Sequence, residues 1–407
     1  MQAAPSTHLF PTYNRSPLTF EHGHGSWLYT AQGEAYLDFS TGVAVNALGH
    51  NHDRLKKALL EQASKLWHIS NLYTIELQEQ VAKCLCDATF ADRVFFTNSG
   101  AEANELAIKA ARRYHHANGS PERYRIITFE GAFHGRTLGA LSATGRREYL
   151  EGFGPQAAGF DQVPFGDMDA LQRAITKETA AILVEPIQGE SGVRPLPSGN
   201  LAHLRRLCDE HGILLILDEV QTGVGRTGTL FAYESEGITP DLLAAAKGLG
   251  AGFPVGACLA TEKVAVNMTA GSHGSTFGGN PLAMAVANEV LSLILADGFL
   301  SDVRATSALL AKRLRAIVAL HPGLFAEVRG AGFLLGLKCN ISASTVLERF
   351  AKVKLLCVPA GDNVVRLLPP LNVSADEIEF AVARISAACL SLEADRVRAW
   401  LSPNTER

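Results

Sequence analysis

From about residue 55 the chain alternates two hydrophobic rhythms. Segments in which apolar residues return every three or four positions are followed by short apolar runs bounded by glycine or polar residues. The first rhythm predicts helices packed on one face, and the second predicts buried strands. Candidate strands fall at 93–97, 125–129, 180–184, 213–217, 242–246 and 256–260, and candidate helices at 101–115, 201–211 and 281–295. The stretch 201–212 shows the logic. Leu201, Leu204, Leu207 and Cys208 share a helical face, Gly212 closes the helix, and the run from Ile213 follows at once. Such alternation predicts an α/β fold, a mostly parallel sheet between helices.

After Asp297 the texture changes to a long helical pattern, strand-like stretches at 325–339 and 364–368, and a final helix from about Ala375. Gly23, Gly25 and Gly33 punctuate an N-terminal region with strand-like pieces at 27–30 and 35–39. The 407 residues exceed the roughly 250 to 300 at which one hydrophobic core stops growing. The expected organisation is therefore an N-terminal segment 1–54 that packs with a small lobe, a large lobe 55–296, and a small α+β lobe 297–407. No internal repeat or low-complexity stretch interrupts it.

Composition narrows the class of partner. Apolar residues at 47% and charged residues at 19% belong to a well-packed globular chain. A net charge of -4 leaves no overall positive field to collect nucleic acid. No apolar stretch reaches the roughly 20 residues that span a bilayer, so no membrane partner is expected. Met1 to Phe10 lacks a basic start followed by an apolar run, which predicts a cytoplasmic protein. Cys84, Cys86, Cys208, Cys258, Cys339, Cys357 and Cys389 form no CxxC pair and read as reduced, mostly buried thiols.

In an open parallel sheet, ligands sit beyond the carboxyl ends of the strands. Three such ends carry candidate chemistry. After 93–97 comes Asn98-Ser99-Gly100-Ala101-Glu102, a turn into a helix that suits a phosphate. The same residues equally describe an ordinary serine cap with an acidic first turn. The run 213–217 leads into Asp218, a carboxylate that needs a partner if buried. The run 242–246 leads into Lys247, flanked by apolar residues and glycine, a candidate Schiff-base amine because desolvation frees the nucleophile. Singly, either could be a surface residue just past its strand; together with the phosphate-type turn they point to one site.

Gly223-Val-Gly-Arg-Thr-Gly228 matches a dinucleotide fingerprint, but it stands five residues beyond Leu217 and no helix follows before Pro240. The pairs His22/His24, His50/His52 and His115/His116 lack a matching set of ligands, so no metal is expected and the histidines read as solvated or locally hydrogen-bonded.

Several motifs in series resemble the class III, or ornithine-type, aminotransferases of the aspartate aminotransferase fold, also called fold type I. They are Ser99-Gly-Ala-Glu-Ala-Asn-Glu105, Ala132-Phe-His-Gly-Arg-Thr137, Glu185-Pro-Ile-Gln-Gly-Glu190, Leu217-Asp-Glu-Val-Gln-Thr-Gly223, Lys247-Gly248 and His273-Gly-Ser-Thr-Phe-Gly-Gly-Asn-Pro281. The resemblance runs from about His22 to Asn372. Within the family, Ala47-Leu-Gly-His50, Trp67-His-Ile-Ser-Asn-Leu-Tyr73 and Asp362 to Leu371 resemble the members acting on N-acylated ornithines.

The resemblance implies pyridoxal 5'-phosphate as cofactor, with Lys247 as its covalent anchor and proton shuttle and Asp218 paired with the ring nitrogen. It further implies Gln221 on the ring hydroxyl, Phe133 on the ring face, and Ser99, Gly100 and Ala101 at the phosphate. Glu219 and Val220 complete the cofactor set, and Thr276 reaches the cofactor phosphate of a neighbouring subunit in a homodimer. Arg136, with Ser275 beside it, is implied to grip a distal substrate carboxylate. Arg366 is implied to take the α-carboxylate of glutamate, and Glu190 to pair with it otherwise. Ser191 departs from the glycine or alanine of many relatives and adds a hydroxyl near that switch. The implied substrates are an N-acylornithine and 2-oxoglutarate or glutamate. Acetyl and succinyl donors, succinyl-diaminopimelate, ornithine, 4-aminobutyrate and an aminomutase reaction stay open.

Overall fold

The computed structural model describes residues 8–401. Most of the Met1 to Phe10 stretch, and positions 402–407 of the C-terminal lobe, lie outside the described residues.

A seven-stranded sheet forms the centre of the molecule. Its strands lie in the order Arg93–Thr97, Gly256–Ala260, Leu242–Ala245, Leu214–Asp218, Thr179–Val184, Arg125–Phe129, Phe160–Val163. Every pairing is parallel except the two made by Gly256–Ala260. Thr179–Val184, Leu214–Asp218, Leu242–Ala245 and Gly256–Ala260 are buried at every position, as expected for strands covered on both faces.

The strand period of two sorts their side chains between two cores. Ala181, Leu183, Leu214, Ile216, Leu242 and Cys258 pack with Leu106, Ala107, Ala110 and Ala111 of the helix Gly100–Ala117. Ile182, Val184, Leu215, Leu217, Leu243 and Leu259 face the other way, into the core that holds Leu201, Leu204 and Leu207 of the helix Asn200–His211 and Met284 and Val290 of Pro281–Ile294. Helix boundaries have local causes. Ser99 caps one helix by accepting from the Glu102 N–H at 3.3 Å, Asn280 caps another through the Ala283 N–H at 2.9 Å, and Gly212 ends a third at φ 61°.

The C-terminal part builds an antiparallel sheet ordered Phe325–Ala331, Leu334–Cys339, Val364–Leu367, Val358–Ala360, joined by helices Phe299–Leu320, Ala343–Lys352 and Ala375–Leu401. The N-terminal strands His22–His24, Trp27–Tyr29 and Ala35–Asp38 form a further sheet, whose fourth strand is Leu355–Leu356, parallel to Ala35–Asp38. Residues 22–38 are thus tied by backbone pairing to a strand more than 300 positions later.

The sequence reading missed the edge strand Phe160–Val163 and the helix Ala343–Lys352, and it did not foresee that Gly256–Ala260 runs antiparallel. Gly223–Gly228 opens no helix, and a short 3-10 turn at Ala232–Glu236 comes next. His50 Nε2 lies 2.8 Å from Asp38 Oδ2, and His115 Nε2 lies 2.9 Å from the Ala180 carbonyl, so both are locally hydrogen-bonded. Cys208, Cys258, Cys339 and Cys389 are buried and all seven cysteines are free thiols. Among the described residues no single helix is long and apolar enough to cross a membrane.

The alanine face of Gly100–Ala117 lets that helix lie close on the sheet. Ala107 is fully buried against it. Ala107→Leu is expected to destabilise the fold by about 1–3 kcal/mol through overpacking, read as a lower urea midpoint with an unchanged slope. An unchanged midpoint would show slack between helix and sheet.

Candidate active site

Because the strands 214–218, 242–245, 179–184, 125–129 and 93–97 all run the same way, their carboxyl ends open into one cavity of about 440 Å³. Ser99, Gly100 and Ala101 line it beside Asn104, Phe133, His134, Arg136, Glu185, Glu190, Asp218, Val220, Gln221 and Lys247. Residues spread over almost 150 positions meet because each follows a strand end or opens a helix. A larger hollow of about 520 Å³ lies along the edge strand, lined by Phe95, Leu106, Cys258 and Met268, but the buried charges are not there.

Lys247 follows Leu242–Ala245 and adopts φ 44°, a left-handed conformation that a lysine seldom takes. The turn carries its side chain into the cavity. Burial first, and the neighbouring Arg366 charge second, bring its amine down to about 8, against the raising effects of Glu190, Asp218 and Glu185. At pH 7 the amine is still mostly an ammonium, but about a tenth of it is unprotonated and nucleophilic, far more than for an ordinary lysine.

Asp218 ends the strand Leu214–Asp218 and is buried. Its Oδ2 accepts from Asn104 Nδ2 at 2.7 Å and from His134 Nδ1 at 2.8 Å, and its Oδ1 accepts from the Val220 N–H at 3.0 Å. Three donors make it a held anion. His134 must carry a proton on Nδ1 to donate, and its Nε2 is buried without a partner among the described residues. Asn104 also donates to the His134 carbonyl at 3.0 Å, which closes the cluster.

At the cavity's other end the helix Gly100–Ala117 presents its N-terminus. Glu102 and Ala103 donate back to Ser99, which leaves the N–H groups of Gly100 and Ala101 with no intrahelical acceptor. Gly100 is required there, since a Cβ would lie 2.7 Å from a Val220 methyl.

Arg366 lies on Val364–Leu367 and is almost wholly buried. Its Nη1 donates to Glu190 Oε1 and to Gln221 Oε1, both at 2.7 Å. Burial pushes the Glu190 carboxyl up, but the charge and hydrogen bond of Arg366 outweigh it, so the net shift is downward. Arg136 is the opposite case. It is exposed, and among the described residues it has no carboxylate partner; its guanidinium lies 3.8 Å above the Tyr149 ring and 5.5 Å from the Phe133 ring.

Three expected positions differ. Glu219 is turned away from the cavity: its carboxylate accepts from the backbone N–H groups of Ala232 at 2.6 Å and Tyr233 at 2.9 Å and from Thr222 Oγ1 at 2.9 Å. It braces the 219–236 loop. Ser191 donates to the Gly131 carbonyl and accepts from Arg146, so its hydroxyl is occupied away from the Arg366 pair. Ser275 does not line the Lys247 cavity; with Asn98, Phe277 and Thr276, whose implied place is a neighbouring subunit's site, it lines an adjoining pocket of about 380 Å³, where its Oγ accepts from the Gly278 N–H at 2.9 Å. Sequence reasoning gave no role to Asn104, His134, Tyr149 or Glu185. Glu185 stands directly past a strand end, the same signal that marked Asp218, whereas His134 lies five residues beyond the strand Arg125–Phe129.

A buried, nucleophilic lysine, a donor-held aspartate and an anion-receptive helix end around one cavity are the site of an enzyme that works through a carbonyl cofactor. The Aminotransferase class-III family profile matches residues 11–389, and the chain belongs to that family, whose members are pyridoxal-phosphate enzymes. It is 59% identical over 384 residues to the acetylornithine aminotransferase of Mesorhizobium japonicum, covering 94% of this chain and 96% of that one. The crystal structure of N-acetylornithine aminotransferase from Stenotrophomonas maltophilia superposes with a TM-score of 0.83 at 39% identity, over 94% and 98% of the two chains. The ornithine aminotransferase of Toxoplasma gondii, crystallised with partial occupancy of PLP at its active site, gives a TM-score of 0.91 at 32% identity, over 95% and 93%.

The lysine can be tested in the apoprotein. Labelling of Lys247 by an amine-reactive reagent is expected to rise with a midpoint near pH 8, against 10.5 for an ordinary lysine. Arg366→Met removes a charge that disfavours the ammonium, so the midpoint should move up. A wild-type midpoint above 10 would mean that the amine is not depressed.

Proposed function

We infer that the protein transfers the side-chain amino group of N2-acetyl-L-ornithine to 2-oxoglutarate, giving N-acetylglutamate 5-semialdehyde and glutamate, in arginine biosynthesis. The observation that carries this reading is the pair of unlike arginines at one cavity: Arg366 buried on Glu190, and Arg136 open. It is supported by the likeness to acetylornithine aminotransferases along nearly the whole chain. Ornithine is the second donor to test, favoured by the likeness to an ornithine aminotransferase.

The residues fit the cofactor. Lys247 would hold it covalently, Asp218 would face its ring nitrogen, Phe133 and Val220 would flank the ring, and Gln221 would face its hydroxyl. The N–H groups of Gly100 and Ala101, with Ser99, would receive its phosphate. Pyridoxal phosphate, when bound, supplies the electron sink that stabilises a carbanion beside the transferred nitrogen. Asp218, held in place by its three donors, would pair with the ring nitrogen and favour its protonated form. Lys247, with its depressed amine at the centre of the cavity, would move the proton taken from the substrate carbon. Arg136 holds the distal carboxylate of either substrate through two N–H groups.

Glutamate differs from an acylornithine in carrying a carboxylate on the reacting carbon. A free Arg366 would welcome every α-amine, so Glu190 occupies it until glutamate's own carboxylate replaces the acid. One carboxylate is exchanged for another, and no charge is left unpaired in a dry site.

The same reading makes the protein a cytoplasmic homodimer with shared sites, and the chain a segment 1–54, a large lobe 55–296 and a small lobe 297–407. Support for the dimer comes from an exposed apolar strip. Trp67, Leu72, Tyr73 and Phe277 are 59–89% exposed, and Asn71 bonds the Ser275 carbonyl at 3.0 Å, so the strip borders the Thr276 pocket.

Two measurements follow. In single-turnover assays, Arg366→Ala should slow the glutamate half-reaction by roughly 10- to 150-fold, the worth of a charge-assisted hydrogen bond, and spare the acetylornithine half. Glu190→Ala should raise the glutamate half relative to the acetylornithine half, and Arg136→Ala should harm both. Equal losses in both halves from Glu190→Ala and Arg366→Ala would remove the switch, and faster turnover of ornithine than acetylornithine would favour the second donor. Separately, mixing inactive Lys247→Ala with inactive Thr276→Asp under subunit exchange should restore activity to roughly a quarter of the sites, since half of the dimers formed carry one intact site. No recovery despite proven exchange would dissociate Thr276 from the neighbouring site.

A further inference from the structure

Two carboxylates stand side by side at the head of the cavity. Thr179–Val184 and Leu214–Asp218 are parallel neighbours with Val184 opposite Leu217, so the next residue on one strand, Glu185, falls beside Asp218 on the other. Neighbouring strands are separated by about 4.8 Å. Both residues are buried and both line the cavity. Two ionised carboxylates that close in a dry space repel strongly, and one proton shared between them relieves this.

The donors decide which acid keeps the proton. Asp218 receives three hydrogen bonds, from Asn104, His134 and Val220. Glu185 receives one among the described residues, from the Phe133 N–H at 3.0 Å. The cation count agrees. Lys247 and Arg366 face Glu190 and Asp218 in the buried part of the site, two charges against two, while Arg136 is exposed at the mouth and the His134 proton is committed to Asp218. An ionised Glu185 would be a third anion with no cation of its own.

We propose that Glu185 acts as a neutral carboxylic acid, a positioning residue that holds a proton beside Asp218 and donates it as a hydrogen bond into the cavity. Asp218 is then the sole anion at that end, which keeps its charge directed at the ring nitrogen; this last step rests on the cofactor placement proposed above. Burial, then the Asp218 charge, push the Glu185 carboxyl well above the usual carboxylate range, with the Phe133 hydrogen bond opposing them. A raised acid of this kind contributes stability that is complete below its unfolded value of 4.5 and is lost as pH rises through the folded value.

The test uses the full-length apoprotein and holoenzyme as wild type, Glu185→Gln, Glu185→Ala and Asp218→Asn. Difference infrared spectroscopy of the wild-type apoprotein at neutral pH should show a protonated-carboxyl stretch that Glu185→Gln and Glu185→Ala both lack. In Asp218→Asn, with the repelling charge gone, that band should titrate away at lower pH than in wild type. The thermal midpoint of Glu185→Gln apoprotein should gain on wild type as pH rises from 5 to 9. In the holoenzyme, Glu185→Gln, which keeps a neutral donor, should retain at least ten times the kcat of Glu185→Ala. Absence of the wild-type band, or a pH-independent stability difference together with equal kcat for the Gln and Ala variants, would overturn the proposal. Near-normal transamination by Asp218→Asn would overturn only the cofactor placement, because the band and the apoprotein stability are read without cofactor.

Discussion

The charges that line this cavity are shielded from bulk water and must balance within it. An isolated buried carboxylate or ammonium is too costly to keep. Asp218, Glu185, Glu190, Lys247 and Arg366 meet this demand in different ways: three donors, a retained proton, a guanidinium, a depressed amine, and three acceptors. The sheet makes the arrangement possible. Strands buried on both faces can place polar residues only where they end, and parallel strands all end on the same side. The chemistry is gathered because the fold offers no other place for it.

That balance also joins the parts of the chain. Arg366 lies on a strand of the C-terminal sheet, yet its partners Glu190 and Gln221 stand past strands of the central one. Nearby, the buried Arg226 donates to the carbonyls of Phe333 at 3.3 Å and Pro369 at 2.5 Å, the second just beyond the Arg366 strand. Burial alone brings its guanidinium down to about 9, and no acid offsets it. Backbone carbonyls thus hold a cation at the joint, which fixes the Arg366 strand against the loop that follows Asp218. The glycines around it serve this buried turn: Gly225 and Gly228 adopt φ 89° and 95°, and a Cβ on Gly223 would lie 2.6 Å from the Phe231 ring.

How much could be read in the sequence depends on how local the signal is. Lys247, Asp218 and the Ser99–Ala101 turn were legible because each follows an apolar run directly, and that position alone has physical meaning in a parallel sheet. Glu185 carries the same positional signal and His134, five residues past its strand, does not, but the importance of both lies in what they touch. Strand register puts Glu185 beside Asp218, and no spacing along the chain reports register. The antiparallel sense of Gly256–Ala260 was hidden for the same reason, since a fully buried strand reads alike in either direction. Phe160–Val163 is a half-buried edge strand and lacks the continuous apolar run. Ser191 and Glu219 were misplaced by proximity: each adjoins a functional residue, but neighbouring side chains diverge, and theirs are consumed by Arg146 and by the 232–233 backbone.

On the proposed reading, the two arginines let one pocket treat two substrates differently. A carboxylate arriving at Arg136 would meet an exposed guanidinium that lies 3.8 Å over the Tyr149 ring and has no carboxylate to give up among the described residues, so little would stand against it. One arriving at Arg366 must displace Glu190, whose own carboxyl is held down by that pairing, and must fit where Gln221 already bonds the same nitrogen. Only a molecule with carboxylates at both distances can offset the loss of the Glu190 pair and hold Arg136 as well. Selectivity then arises from what must be broken on entry rather than from added contacts, and it requires Arg366 to be buried, because an exposed pair exchanges with water at little cost.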